Sequence, residues 1–310
     1  MEISLRQLGY FLRLVDKRSF TTAANALCIT QPALSIAISQ LEKSLGVQLI
    51  ERGTLPVSLT AYGETFHRYA LRVTRDLQEA RDEIAALRNG TLGRLDIGMG
   101  PSAAGPEVGS VLTSMIEDFP ALEIHVQSGV LPAIAERIRN GEFSVYVGTV
   151  ADDFVDPTLD VFRLSTITLN VVSGAGHPLA QRPEVKPADL LDYPWIAIGN
   201  LDANLPNWKQ AFRAEGLEPP RPAIDVRNIA LVRSLLFEGR FVTILPQSMA
   251  RNDVEAGLLA TLHPRSFDWT LHLDAVTRAG VGLPAAARIF LDRLTAAFAA
   301  TRRLEELIPA

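Results

Sequence analysis

The chain has 310 residues, 47% of them hydrophobic and 21% charged, enough apolar material for two or three domains with cores of their own. A net charge of −5 argues at first against a nucleic-acid partner, yet residues 1–60 carry +2, residues 61–90 balance, and the rest carries −7. The lone cysteine, Cys28, excludes an intrachain disulfide and a cysteine-built metal cluster, and the five histidines lie too far apart for ligand spacing, so no metal is implied.

The opening MEISLRQLGYF lacks a basic region followed by a long apolar core, and no run nears the roughly eighteen apolar residues of a membrane span, so a cytoplasmic protein with no membrane partner is expected. Residues 4–17 place Leu5, Leu8, Phe11, Leu12 and Val15 on one face of a first helix, with Arg6, Arg13 and Lys17 outside. Ser19 caps a short second helix whose small Ala23, Ala24 and Ala26 let a neighbour approach closely. After a turn at Cys28 and Ile29, where the thiol reads as turn packing, Thr30 caps a third helix with Pro32 in its first turn. Leu34, Ile38, Leu41 and Leu45 form its core stripe. Gln31, Pro32, Ser35, Ile36 and Ser39 are left for the outer face: short or amide-bearing groups that let a helix sit deep in a major groove, where Gln can pair bidentately with adenine. Ile36 either touches a thymine methyl or packs against the first helix.

Phe20, Ala23-Ala24, the run Gln31-Pro32-Ala33-Leu34-Ser35, Leu41-Glu42, Leu45-Gly46, Leu49, Arg52, Leu59-Thr60 and Gly63 together resemble the DNA-binding signature of LysR-type transcriptional regulators. The family commonly carries Arg after the serine of that run and more basic residues along the wing. Here stand Ile36, Ser39 and Gly53-Thr54-Leu55-Pro56-Val57-Ser58, so phosphate contacts are few and binding per protomer is expected to be weaker. Gly53 to Thr60 reads as a hairpin wing broken by Pro56. Arg52 at its base serves either a DNA backbone or minor-groove contact or an ion pair with Glu51 or Glu42.

From Thr60, a cap, to Gly90, a stop, apolar residues fall at Phe66, Ala70, Val73, Leu77, Ala80, Ile84 and Leu87, alternating spacings of four and three. This heptad seam pairs with a second copy, as DNA half-sites favour, or packs on its own core. It resembles the family's dimerising linker helix. Beyond Gly90, strands 94–99, 123–128 and 144–149 alternate with helices 106–118 and 131–140. A second set has strands 168–173, 194–199, 223–226 and 241–245 with helices 205–215 and 228–238, and strand 271–277 and helix 284–303 return to the first. Alternation of this kind argues parallel sheets in two lobes.

The resemblance implies an α/β chain with an N-terminal all-α winged helix-turn-helix and a two-lobed, periplasmic-binding-protein-like, doubly wound effector domain joined by a long dimerisation helix. The domains read as 1–60, DNA-binding; 61–90, linker; and 91–310, effector-binding, with lobe I about 91–163 and 267–303 and lobe II about 164–266. In such sheets ligands lie beyond the carboxyl ends of strands. Those ends hold Pro101, Ser102 and Ala103, then Ser128 and Gly129, Thr149, and Asn200, with Arg227 the nearby cation. Ser102 and Ser128 either hold an acidic ligand group or cap helices. A small organic acid, with aromatic acids included, is the expected effector.

The glycines at 98, 100 and 105 match no dinucleotide fingerprint, no phosphate-binding Gly-Lys-Ser loop exists, and Ser102 lacks a Gly-x-Ser-x-Gly setting, so neither an enzyme nor a cofactor is expected. The partners implied are operator double-stranded DNA, a carboxylate effector, a second copy through the linker helix, a dimer of dimers, and RNA polymerase if the protein activates. The competing reading is a cytoplasmic small-molecule sensor whose DNA-binding module has degenerated.

Overall fold

Ser4 accepts a hydrogen bond from the Gln7 N–H at 3.3 Å while Gln7 Oε1 accepts from the Ser4 N–H at 3.0 Å, a reciprocal cap that starts α1 (Leu5–Lys17). The structure is a computed structural model that describes residues 3–51, 53, 56–151, 153–198, 205, 208–264, 267 and 269–307, leaving aside the side chains of Leu87 and 302–307. Contacts divide the chain into two units: Met1–Gly93 with Glu136–Phe143, and Arg94–Ala135 with Ser144–Ala310.

In the first unit, Leu8, Phe11 and Leu14 are the buried face of α1, while Leu5 is exposed and Leu12 half-buried. The expected face is thus turned: periodicity gives a stripe but not which edge of it the neighbouring helices cover. Ser19 caps α2 (Phe20–Ala26) by accepting from the Thr22 N–H, and Ala23 and Ala24 are both buried. Cys28 follows with a left-handed φ of 54°, and its thiol is exposed, so packing in the turn falls to Ile29 rather than to Cys28. Thr30 caps α3 (Gln31–Leu45), whose Leu34, Ile38 and Leu41 join Phe11, Leu14 and Leu49 in the core. Burying each leucine contributes about 1.5–3 kcal/mol.

Thr60 Oγ1 accepts from the Gly63 N–H at 3.0 Å and donates to the Gln48 carbonyl at 2.7 Å, starting α4 (Ala61–Asn89). A Cβ on Gly63 would stand 2.0 Å from the Leu49 carbonyl oxygen, so only glycine lets α4 lie this close to the core. The helix stops before Gly90, φ +65°. Its seam divides. Phe66 and Ala70 pack on the unit's own core, with the Phe66 and Phe11 rings 5.1 Å apart, whereas Val73 and Ile84 are 45% and 61% exposed. The first two seam positions therefore follow the intrachain reading, because α4 leaves from the core it grows out of.

The second unit opens with β1 (Arg94–Met99), α5 (Pro106–Asp118), β2 (Glu123–Ser128) and β3 (Val145–Gly148). Between β2 and β3 in the chain, the helix expected at 131–140 shrinks to α6 (Ala135–Arg139), grouped from Glu136 on with the first unit and preceded by a turn that contains Pro132. The strand expected at 168–173 is far longer: β4 (Leu159–Gly174) has 16 residues, about 50 Å of extended chain. Next come β5 (Trp195–Ile198), α7 (Trp208–Ala214), β6 (Pro222–Val226), α8 (Ile229–Phe237) and β7 (Val242–Pro246). Then α9 (Gln247–Glu255) and β8 (Leu259–Leu262), neither anticipated from sequence, lead to β9 (Trp269–Arg278) and α10 (Ala285–Leu307).

The strands run in the order β2-β1-β3-β9-β4-β7-β5-β6, with β8 beside β4. β2, β1 and β3 are parallel, β5 pairs parallel with β6 and β7, and the antiparallel pair β4–β9 joins the two sets. Residues Leu159–Leu169 of β4 pair with β9, and Leu169–Gly174 pair with β7 and β8, so one strand serves both lobes. The second lobe's core centres on Trp195, Trp208 and Phe212, with Trp208 and Phe212 rings 6.1 Å apart. No described helix is long and apolar enough to cross a membrane.

Candidate functional site

The N-terminal face of α3 is held from behind and open in front. Thr30 Oγ1 accepts from the Ala33 N–H at 3.4 Å, satisfying one orphan donor of the first turn. Leu34, Ile38 and Leu41 anchor the opposite side, and Gln31, Pro32, Ser35, Ile36 and Ser39 are all exposed. Ile36 is 59% exposed, so it does not pack against α1 in this chain.

The wing is formed at its base by the antiparallel bridge Ile50–Leu59, and the Glu51 N–H donates to the Ser58 carbonyl at 3.0 Å. Glu42 Oε1 accepts from the backbone N–H groups of Leu49 and Ile50 at 2.8 and 3.1 Å, pinning the wing to α3. Sequence reasoning passed over this positioning role of Glu42; the signal was a carboxylate on the half-buried side of the helix, seven residues before a strand. Arg52 lies outside the described residues. Lys17 and Arg13 both approach Asp16, at 3.1 and 3.5 Å, and Lys17 first holds the Asp16 carboxyl below its ordinary value. Two basic side chains of this unit thus share a carboxylate partner within α1.

In the second unit, β1, β2 and β3 end side by side. Met99 is in register with Ser128 and Val147, the Gly100 N–H donates to the Val147 carbonyl at 2.8 Å, and the Gly129 N–H donates to the Met99 carbonyl at 3.0 Å. The Ser102 and Thr149 hydroxyls meet at 2.8 Å. Ser102 caps no helix: Pro101–Ala103 is a single 3-10 turn, and Gly105 occupies the N-cap of α5. Pro101 and Ser102 are half-buried, Ala103 is buried, and Ser128 is exposed. Arg227 is exposed, directly before Asn228, which caps α8 by accepting from the Ala230 N–H at 2.9 Å. Asn200 lies outside the described residues. Ser102, Ser128, Gly129 and Thr149 therefore share one sheet edge.

Tyr146, which sequence reasoning missed, forms the floor beneath them. A Cβ on Gly100 or Gly148 would stand 2.7 or 2.2 Å from the Tyr146 hydroxyl, so both glycines exist to admit the phenol. Burial pushes that phenol up to about 12, a hydrogen bond with the Leu131 backbone opposes the rise, and the Asp274 charge adds to it. It stays a neutral hydroxyl across the physiological range. The signal in the sequence was a tyrosine two residues before one strand-end glycine, facing another on the neighbouring strand.

Residues 88–299 match the LysR substrate binding domain, and residues 5–64 match the bacterial regulatory helix-turn-helix of the lysR family. The transcriptional regulator GbpR of Azospirillum brasilense is 34% identical over 80% of this chain and 73% of its own. The regulator BenM of Acinetobacter baylyi is 31% identical over 79% of this chain and 81% of its own. The crystal structure of full-length CbnR with its target DNA superposes with a TM-score of 0.69 at 20% identity, covering 95% of this chain and all (100%) of that one, a likeness of fold. An exposed α3 face in one unit and a two-lobed sheet in the other, both matched at family level, leave one conclusion: the chain belongs to the LysR family of transcriptional regulators, with a helix-turn-helix DNA-binding domain and an effector-binding domain.

Proposed function

We propose that this regulator reads operator DNA with Gln31, Pro32, Ser35, Ile36 and Ser39, positioned by Thr30, and that a small organic acid held at the strand ends alters how it does so. The observation that carries the first half is the exposure of that whole face on a helix whose other side is core. Gln31 pairs with an adenine edge and Ile36 rests on a thymine methyl, while Arg52 is offered to phosphate or minor groove. The second half is carried by the 2.8 Å Ser102–Thr149 contact beside the ends of β1, β2 and β3. The Ser102 and Thr149 hydroxyls, with the exposed Ser128 at the neighbouring strand end, suit a carboxylate, with Asn200 and Arg227 contributing from the other lobe.

Residues 1–60 act as the DNA-binding domain, 61–90 as the linker and 91–310 as the effector domain. Val73 and Ile84 leave the outer part of α4 free to meet a second copy, as two-fold operators require. Dimers then pair into dimers of dimers, the cytoplasm is the place of action, and RNA polymerase is the further partner of an activating form. An effector that binds one arrangement of the lobes more tightly than another shifts the spacing of the DNA-binding pairs.

Gel shifts with the DNA upstream of the chain's own coding sequence, titrated with salt, test the first half. A shift with a shallow salt slope is expected; no shift, or a steep slope, refutes it. Calorimetry with a panel of aromatic and aliphatic carboxylates tests the second, and it fails if none binds or if Ser102→Ala leaves every affinity unchanged.

A further inference from the structure

A cavity of about 40 Å³ lies away from the strand ends, between α5 and α10 on one side and β4 and the start of α9 on the other, and none of the predicted effector residues lines it. Glu107 forms part of its wall. The residue is 7% exposed, Oε1 accepts from the Thr301 hydroxyl at 3.3 Å, and Oε2 is buried with no hydrogen-bond partner. A carboxylate oxygen removed from water with no hydrogen-bond partner is costly, so an occupant of this space that brings positive charge or a donor would be favoured.

The rest of the wall supplies oxygen rather than charge. Thr168, Ser248 and Thr301 offer hydroxyls and Gln247 an amide, and no Lys or Arg among the described residues lines the space. A Cβ on Gly105 would come within 3.0 Å of Glu107 Oε2 and 3.3 Å of Ser248 Oγ, so the bare glycine keeps a gap between these oxygens. One carboxylate among neutral oxygens balances a single positive charge. Divalent ions draw on several carboxylates, and no group of three or more His, Cys, Asp or Glu fit for a metal exists among the described residues. The N-terminus of α9 opposes a cation with about half a charge, less than the full charge of the carboxylate.

We propose that this cavity binds a small monovalent cation, potassium or the ammonium head of a primary amine, on Glu107 Oε2 and the oxygens of Ser248, Thr168 and Gln247. Because its walls come from α5 and α10 of one lobe and from β4 and α9 on the way into the other, an occupant ties the lobes together on a side distinct from the strand ends.

The test is thermal unfolding of the full-length protein in potassium, methylammonium or choline chloride at equal ionic strength, choline being too large for the cavity. Potassium, methylammonium or both should raise Tm above choline by about 3 °C at tenfold the dissociation constant. Glu107→Gln, which keeps the shape and removes the charge, should abolish the increment, and Ser248→Ala should reduce it. A rise with potassium alone assigns an inorganic ion, and a rise with methylammonium alone an amine ligand. Equal melting of the wild type in all three salts, or an increment that survives in every variant that folds, overturns the proposal. Neither DNA nor a carboxylate enters this measurement, so its outcome is independent of the proposed function.

Discussion

The α3 face proposed to meet DNA lies within the single stretch from Thr30 to Ser39, whereas Ser102 and Thr149, in contact at 2.8 Å, stand 47 positions apart and meet only because β1 and β3 are neighbours. The first surface is shaped by helical periodicity and one cap. The second is shaped by sheet register and by the room two glycines leave for Tyr146. A surface of the first kind is lost when its helix loses its core, and one of the second kind when any of three strand ends shifts.

The largest effect should come from Leu41→Ala, which empties a fully buried site in the first unit at a cost of about 2–5 kcal/mol. All three tryptophans (Trp195, Trp208 and Trp269) lie in the second unit, so fluorescence follows that unit while circular dichroism follows both. An early loss of helix and of DNA binding with an unmoved fluorescence transition is expected. A parallel shift of both signals would break the comparison, because the units would then unfold as one.

Gln31→Ala should cost about 1–3 kcal/mol of discrimination at one base position without changing Tm, since the side chain is exposed. Competition gel shifts with single-base operator variants read this directly. Ser102→Ala should weaken carboxylate binding by about 1 kcal/mol, roughly fivefold, with DNA affinity in the absence of effector unchanged. Thr149→Val added to it should cost less than the sum of the two, since the hydroxyls share one hydrogen bond. Full additivity in calorimetry would show that the two do not act on one ligand group.

The smallest effect is confined to acid. His177 is fully buried, Nδ1 accepts from the Leu179 N–H at 3.1 Å, and the ring packs 4.3 Å from Tyr193. Neutral imidazole therefore carries its hydrogen on Nε2, and burial lowers the pKa below the ordinary 6.5. The unfolded chain takes up the proton first as pH falls. Stability from this group is complete above about 6.5 and drains away as pH drops from there through the folded value. Urea midpoints measured from neutral to mildly acidic pH should fall more steeply in the wild type than in His177→Asn; equal slopes would remove His177 from the account.

Much of the fold was legible in the chain because local signals agreed: Ser19 and Thr30 cap where expected, β1, β2 and α5 take the predicted bounds, and Leu34, Ile38 and Leu41 are the buried stripe. The failures have a common cause. Residues 159–167 carry no apolar alternation, since most of them are at least partly exposed, and they are a strand only because β9 pairs with them. The polar α9 buries only Ala250 and Asp253, and Asp253 accepts from Arg233 Nη2 and Nε at 2.6 and 2.8 Å, so the helix has no hydrophobic stripe to read. Tyr146 and Glu107 escaped for a related reason: each owes its setting to residues on other elements, Gly100 in one case and Ser248 and Thr301 in the other.

By itself the sequence determined the family, the outward face of α3 and the alternation of strands and helices, because caps, helical spacing and apolar runs act within a few residues of one another. Tertiary structure alone decided that β4 joins the two lobes, that Phe66 and Ala70 turn inward while Val73 and Ile84 do not, and that Ser102 meets Thr149 above a buried phenol. Those choices depend on which distant surfaces come into contact, and contact between residues far apart in the chain is settled only when the sheet closes and the core packs.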